Sequence, residues 1–209
     1  MGLRRRRRIS MGLAALLLGG APSLAAASRY VIRPGESRFQ IRVGKSGLFS
    51  AFGHEHLVEV RHMSGEVLWS PGAREGSSVN LEFESASLTV VDPDVKDDER
   101  AKVQAQMQAE ALEIERYPVI RFTAKTLAVE PLQGEYRGTV TGELTLKGVT
   151  RSLKIPVQIA VAVGKLGARG ELKLKGSDFG VKQVTAAGGA VKTKDELQLS
   201  FDLVFEEEP

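Results

Sequence analysis

The sequence predicts a mainly β domain with one helix, in which an antiparallel sheet encloses an apolar interior. Apolar and polar residues alternate through most of the chain after residue 28, which is the period of strands with one buried face. Only one segment, at about 94–114, changes to helical spacing. About eight such strands need more cover than one helix provides, so the sheet must close into a barrel or fold into a sandwich.

The N-terminal residues have the pattern of a cleavable signal peptide over residues 1–27. Arg4–Arg8 form a basic run, and the apolar stretch Ile9–Gly20 follows it. That stretch is shorter than the roughly 20 residues that span a bilayer, so no stable membrane span is expected. Small residues then offer cleavage after Ala25 or Ala27. The pattern predicts a periplasmic or secreted protein; an uncleaved anchor is the alternative, and the export route stays open.

Composition narrows the function classes for the remaining single domain, residues 28–209. The whole chain carries a net charge of +3, but residues 1–27 hold five arginines and no acid, which leaves a mature net charge of −2. That charge gives no reason to expect a nucleic-acid partner. The chain has no cysteine, which excludes disulfides, thiolate catalysis and cysteine-based metal sites. Whether the chain forms a homodimer is left open.

The predicted strands follow one another with few interruptions. One of them, residues 152–163, spans about 40 Å at roughly 3.3 Å per residue, which favours an elongated barrel suited to an elongated ligand. Turn residues such as Lys147-Gly148 separate the strands. The residues predicted to face inward are Phe39, Ile41 and Val43; Val79, Leu81 and Phe83; Ile120, Phe122 and Ala124; Val140, Leu144 and Leu146; alternate residues from Leu153 to Val163; Leu172 and Leu174; and alternate residues from Leu197 to Phe205.

One amphipathic helix is predicted at about 94–114. Asp92 is placed to cap it, with Pro93 at its first position. Tyr117-Pro118 ends it and returns the chain to extended geometry. Its apolar face is predicted to consist of Val103, Met107, Ala111 and Ile114.

The three histidines of the chain lie within nine residues. If residues 54–62 form one unbroken strand, His54, His56 and His62 point inward with Val58 and Val60. They would then offer hydrogen bonds to the polar end of a ligand, although a structural role is also open. The alternative is a metal site of His54 and His56 that His62 joins only through a bend, because about 26 Å of strand separates His54 from His62.

Six segments, in order along the chain, resemble the YceI-like family of small periplasmic or secreted proteins. They are Tyr30–Pro34, Phe39–Val43, Met63–Val67 (similar to an F-S-G-x-I turn), Glu115–Phe122 (E-K-Y-P-x-I-x-F), Gly142–Arg151 (G-x-L-T-I-x-G-V-T-K) and Ser177–Val181 (S-D-F-G-I). One departure concerns the family's His-Ser pair before the second strand and its His-Leu-Gly step after it. Glu36-Ser37 and Lys45-Ser46-Gly47 stand there instead.

The resemblance implies an elongated lipocalin-like barrel that holds a long apolar ligand, such as a polyisoprenoid, an isoprenoid quinone or a fatty-acyl lipid. It implies no catalysis and no cofactor. The alternatives are a metal-binding protein and a stress-related structural protein whose barrel is filled by its own side chains. The predicted ligand-binding residues are Phe49, Phe52, His54, His56, Val58, Val60, Phe83, Phe122, Leu144, Ile155, Val157, Leu172 and Phe201.

Overall fold

The computed structural model describes residues 27–46, 55–70, 76–186 and 191–208. These residues form one antiparallel sheet of twelve strands and one α-helix. The strands are β1 (Ser28–Ile32), β2 (Arg38–Ser46), β3 (His56–Val60), β4 (Met63–Trp69), β5 (Ser78–Glu84), β6 (Leu88–Val90), β7 (Val119–Leu132), β8 (Glu135–Leu146), β9 (Val149–Ala162), β10 (Lys165–Lys175), β11 (Thr185–Ala186) and β12 (Val191–Glu208), and helix α1 spans Asp97–Gln106.

The sheet closes on itself as an eight-stranded barrel, because three pairs of short strands are the two halves of bent strands. These pairs are β1 with β2, β3 with β4, and β5 with β6, and each is joined by only a few residues. Strand β12 pairs with β10 along one edge, and with both β1 and β2 along the other. Strands that follow each other in sequence are therefore neighbours around the ring, which confirms the predicted barrel and excludes the sandwich.

The barrel is less completely paired at the end where β2 finishes and β9 begins, which we call the mouth. Within the described residues, β6 pairs only with β3, and the pairing of β9 with β10 stops at Gln158 and Arg169. The bend between β5 and β6, next to the unpaired edge of β6, is fixed by serine hydroxyls. Ser85 donates to the carbonyl of Tyr117 at 2.7 Å, and Ser87 donates to that of Glu84 at 2.7 Å.

Helix α1 covers the edge of β6 that has no neighbouring strand among the described residues. The side chain of Gln104 donates to the carbonyl of Leu88 at 2.8 Å and accepts from the N–H of Val90 at 2.8 Å. This amide therefore bonds both backbone groups as a neighbouring strand would do. The predicted helix is confirmed, but α1 begins at Asp97 rather than near residue 94, and Lys96 precedes it as the N-cap residue.

The predicted cap by Asp92 is wrong, because that carboxylate bonds to strand β3 instead. At its other end, α1 continues as a π-helical turn over Met107–Leu112. Glu113 ends this turn in the left-handed conformation, with φ of 51°. Val103, Met107 and Ile114 are partly buried against the core, and Ala111 is buried, as the helical spacing predicts.

Two details of the strand predictions change. The long strand β9 begins at Val149 and ends at Ala162, so the predicted inward position of Val163 is wrong, and Val161 near the end of this strand is exposed as well. Val163 is fully exposed in the turn before β10. The Met63–Val67 segment, which resembles a turn of the family, lies in strand β4. No helix in the described ranges has the length and apolar content needed to cross a bilayer.

An ion pair between a buried lysine and a partly exposed glutamate fixes the mouth end of the barrel. Lys147, in the two-residue turn between β8 and β9, has a buried side chain whose Nζ donates to Glu113 Oε1 at 2.6 Å and to the carbonyl of Gly180 at 3.1 Å. The hydrogen bond from Lys147 holds the pKa of Glu113 below its ordinary value. The pair thus joins the end of the helical segment to a β-hairpin and to the loop at Gly180.

This pair predicts a loss of stability in acid. Because the pKa of Glu113 is lowered in the folded state, this group contributes its full stabilisation above the pKa that it has in the unfolded chain. The stabilisation is lost as the pH falls through the pKa of Glu113 in the folded protein. We expect the melting temperature of the wild type to fall more steeply than that of Glu113→Gln between about pH 5 and pH 3. Parallel slopes in thermal denaturation followed by circular dichroism would contradict this.

Candidate functional site

A cavity of about 490 Å³ lies at the mouth of the barrel, between the strands and α1. This mouth cavity has the size of an ordinary small-molecule site. Its lining is mostly apolar and comes from the sheet, from the helical segment and from the loop before β11. Apolar lining residues include Ile41, Val43, Val58, Leu88, Val90, Val103, Met107, Leu112, Val181 and Leu197.

His56 is the histidine of the described residues that lines this cavity. Its Nδ1 lies 2.6 Å from Oδ2 of Asp92, and Oδ1 of the same carboxylate accepts the N–H of Leu57 at 2.6 Å. Oδ1 of this carboxyl group is already an acceptor, and we assign Nδ1 as the donor to Oδ2. The Asp92 side chain is 4% exposed, and it fixes the orientation of the ring. Nε2 is then the ring nitrogen left for a ligand.

Charged and polar groups complete the lining of the mouth cavity. Four lysines, two acids and several amides and hydroxyls contribute to it. One acid, Asp195, accepts from the backbone N–H and hydroxyl of Ser177 at 2.8 and 2.7 Å. These hydrogen bonds hold the pKa of Asp195 below its ordinary value, so it is ionised at neutral pH. The lysines are Lys45, Lys182, Lys192 and Lys194.

A second, deep cavity of about 100 Å³ lies further along the same strands and has an entirely apolar lining. Phe39 contacts two other rings beside it. The ring centroids of Phe39 and Phe83 are 5.1 Å apart, and those of Phe39 and Phe201 are 6.0 Å apart with nearly parallel planes. The interior of the barrel is therefore mostly filled by side chains below the mouth.

The residues predicted from the sequence to bind a ligand divide between the two cavities. His56 and Val58 line the mouth cavity. Val60 is buried in the core without contributing to either lining. Phe49, Phe52 and His54 lie outside the described residues. The others line the deep cavity: Phe83, Phe122, Leu144, Ile155, Val157, Leu172 and Phe201.

His62 does not join the other histidines in the interior. Strand β3 ends at Val60, so the condition of an unbroken strand through residue 62 is not met. The His62 side chain is 75% exposed and its Nδ1 lies 2.9 Å from Oε2 of Glu84. Among the described residues there is no group of three or more side chains placed to hold a metal ion. A site that includes His54 stays a prediction, since that residue is not described.

Two residues important for the site were not identified from the sequence. Asp92 was interpreted as a helix cap, and Gln104 carried no signal, because a polar residue on an exposed helix is unremarkable in a sequence. Both act on strands that are distant in the chain, at Leu57 and at Leu88 and Val90. The docking of α1 against β6 gives Gln104 its partners, and the pairing of β6 with β3 brings Asp92 to Leu57 and His56.

The YceI-like domain family model matches residues 30–205. The chain belongs to the YceI-like family. The match covers all the segments whose resemblance to the family was noted above, and it extends from β1 to the inward residues near the end of β12. The family assignment therefore includes both cavities and the helix that lines the mouth cavity. A comparison with curated proteins gives no match.

Solved structures share the fold of this YceI-like chain. Burkholderia cenocepacia BcnA has a TM-score of 0.63 at 21% identity, over 83% of this chain and 98% of BcnA. A polyisoprenoid-binding domain from Saccharophagus degradans, implicated in plant cell wall breakdown, has a TM-score of 0.62 at 14% identity, over 87% and 99%. The Campylobacter jejuni YceI protein has a TM-score of 0.55 at 23% identity, over 73% and 84%.

Proposed function

We propose that this YceI-like chain is a periplasmic or secreted protein that binds a long apolar ligand in its barrel. The ligand is a polyisoprenoid, an isoprenoid quinone or a fatty-acyl lipid, and the protein needs no cofactor and performs no catalysis. The mouth cavity of about 490 Å³ carries the proposal, because it places a mostly apolar lining next to one oriented histidine. A similar fold in a polyisoprenoid-binding domain adds support.

The affinity would come from burial of the ligand's carbon chain. Each CH₂ group removed from water contributes about 0.8 kcal/mol before the costs of association and ordering. The apolar residues of the mouth cavity supply the receiving surface, and Nε2 of His56 supplies one directed hydrogen-bonding group. Such a division of roles, with apolar walls for affinity and a few polar groups for orientation, is typical of small-molecule sites.

The proposed location depends on the N-terminal sequence. The basic run Arg4–Arg8, the short apolar stretch after it and the small residues near Ala27 are the features of an exported protein. A carrier of water-insoluble molecules has a function in that compartment, since such molecules cross an aqueous space only when their chains are shielded. Mass spectrometry of the N-terminus of the protein from its own host would test the cleavage.

Native mass spectrometry of the mature protein, purified without an affinity tag from its own host, tests the proposed function. We expect a mass above that of the chain, which organic extraction removes and which is identified as a lipid. Metal analysis of the same sample distinguishes lipid binding from the alternative function, because a stoichiometric transition metal without lipid would favour a metal-binding protein. A bare chain that also fails to bind added isoprenols or fatty acids would favour a filled barrel.

The hydrogen bonds of Gln104 predict a role for α1 in ligand exchange. Removing this amide by Gln104→Ala leaves the backbone groups of Leu88 and Val90 without their partner, which costs about 1–3 kcal/mol. We expect the dissociation of cis-parinaric acid, followed by stopped-flow fluorescence, to become about tenfold faster. Lys102→Ala, at an exposed position of the same helix, is the control. Equal rates for the two variants would exclude this role.

A further inference from the structure

The mouth cavity and the deep cavity have no lining residue in common. On two neighbouring strands the change from one to the other falls between successive inward positions. On β2, Ile41 lines the mouth cavity and Phe39 the deep cavity. On β12, Leu197 lines the mouth cavity and Leu199 the deep cavity. Ile41 is paired with Leu199 and Phe39 with Phe201, so the boundary on β12 lies one inward position nearer the mouth than the boundary on β2.

Three phenylalanine rings lie on the deep-cavity side of this boundary. On the bent strand β5–β6, Leu88 lines the mouth cavity and Phe83 the deep cavity. The Phe39 ring lies against Phe83 at 5.1 Å and against Phe201 at 6.0 Å between centroids. We call Phe39, Phe83 and Phe201 the aromatic barrier. On β2, a chain that passes Ile41 from the mouth would meet Phe39 as the next inward residue.

The barrier is supported from the wall of the barrel. Gly170 is paired with Phe201, and a Cβ at Gly170 would lie 2.6 Å from the tip of the Phe201 ring and 2.4 Å from the carbonyl oxygen of Pro156. The ring therefore occupies the space that a side chain at residue 170 would need. Ring pairs in tilted and offset arrangements also attract one another beyond their burial. Phe39, which is held between its two neighbours, is the ring whose removal joins the cavities.

We infer that the aromatic barrier determines the chain length of the bound lipid, an inference that rests on the proposed function. In this arrangement the ligand's chain fills the mouth cavity and stops at Phe39, while the deep cavity of about 100 Å³ remains beyond its reach. Chains longer than the mouth cavity accommodates must leave part of their length exposed to water, and they gain no further affinity from the added carbons.

Competition between farnesol, geranylgeraniol and solanesol, three isoprenols of increasing length, tests the barrier by native mass spectrometry. We expect wild type to bind solanesol no more tightly than farnesol. Phe39→Ala should raise the ratio of the solanesol to the farnesol affinity by about tenfold or more, because the longer chain then enters the deep cavity. Phe39→Leu, which keeps an apolar side chain of intermediate size, should give a smaller shift in the same direction.

Phe122→Ala is the matched control, because it removes the same ring from the lining of the deep cavity and leaves the barrier in place. An equal shift in this control would show that added volume alone is the cause and would overturn the inference. A wild type that already prefers solanesol, or an unchanged ratio in both Phe39 variants, would also overturn it. If folded wild type binds none of the three isoprenols or cis-parinaric acid, the proposed function itself fails, which is a different result.

Discussion

Replacing Gly65 with alanine is expected to destabilise the barrel by about 3–5 kcal/mol, a large part of the total stability of a domain. Gly65 lies within β4 at φ of +136°, a conformation that side chains rarely adopt. A Cβ there would lie 2.0 Å from the carbonyl oxygen of Asn80 and 2.9 Å from Cα of Leu81. Both atoms belong to the backbone of β5, so neither can move without breaking the pairing of β4 with β5.

Gly35→Ala is the control for this experiment. Its φ is not in the positive region, and no atom lies within 4 Å of a Cβ built at that position. Urea denaturation followed by circular dichroism should give a midpoint near that of wild type for Gly35→Ala and a much lower midpoint for Gly65→Ala. Similar midpoints for the two variants would mean that β4 and β5 separate at little cost, against the structure.

The second large effect is expected for Asp92→Ala. This substitution leaves the N–H of Leu57 unpaired in a partly buried place, which costs about 1–3 kcal/mol, and it frees the ring of His56. We expect the melting temperature to fall, and the affinity for cis-parinaric acid to fall by about tenfold because Nε2 is no longer directed at the ligand. His56→Ala should lower the affinity as much, but the melting temperature less.

A double-mutant cycle separates the role of Asp92 in binding from its role in stability. If Asp92 acts on the ligand through His56, the double variant should bind no more weakly than His56→Ala alone. The exposed pair of His62 and Glu84 is a matched control within the same chain, and Glu84→Ala should change neither quantity appreciably. Additive losses of affinity in the cycle would mean that the two residues act independently.

Much of the barrel is readable from local patterns in the sequence. The period of two along Val79–Phe83 or Leu197–Phe205 specifies a strand and its buried face without reference to any other residue. Turn chemistry is equally local, since Lys147-Gly148 adopts the positive φ angles that a two-residue hairpin requires. The inward residues Phe83, Phe122 and Phe201 followed from this alternation, and the structure places all three at the deep cavity.

Other features depend on contacts between distant segments. Asp92 could have capped a helix by its position, but its carboxylate instead bonds to residues 35 and 36 positions earlier in the chain. His62 shares a parity with His56, yet the bend after Val60 turns it to the surface beside Glu84. A pattern of alternation contains no signal for such a bend. The bend lies where the pairing changes, since β3 pairs with β2 and β6 whereas β4 pairs with β1 and β5.

The sequence alone therefore determined a mainly β domain with one helix and an apolar interior, because burial of alternate side chains is a property of each strand by itself. Only the tertiary structure decided how that interior is divided. The separation of a mouth cavity from a deep cavity depends on three phenylalanines from β2, β5 and β12, which are far apart in the chain and meet only when the barrel closes. The docking of α1 brings Gln104 to the edge of β6, and the pairing of β6 with β3 brings Asp92 to His56.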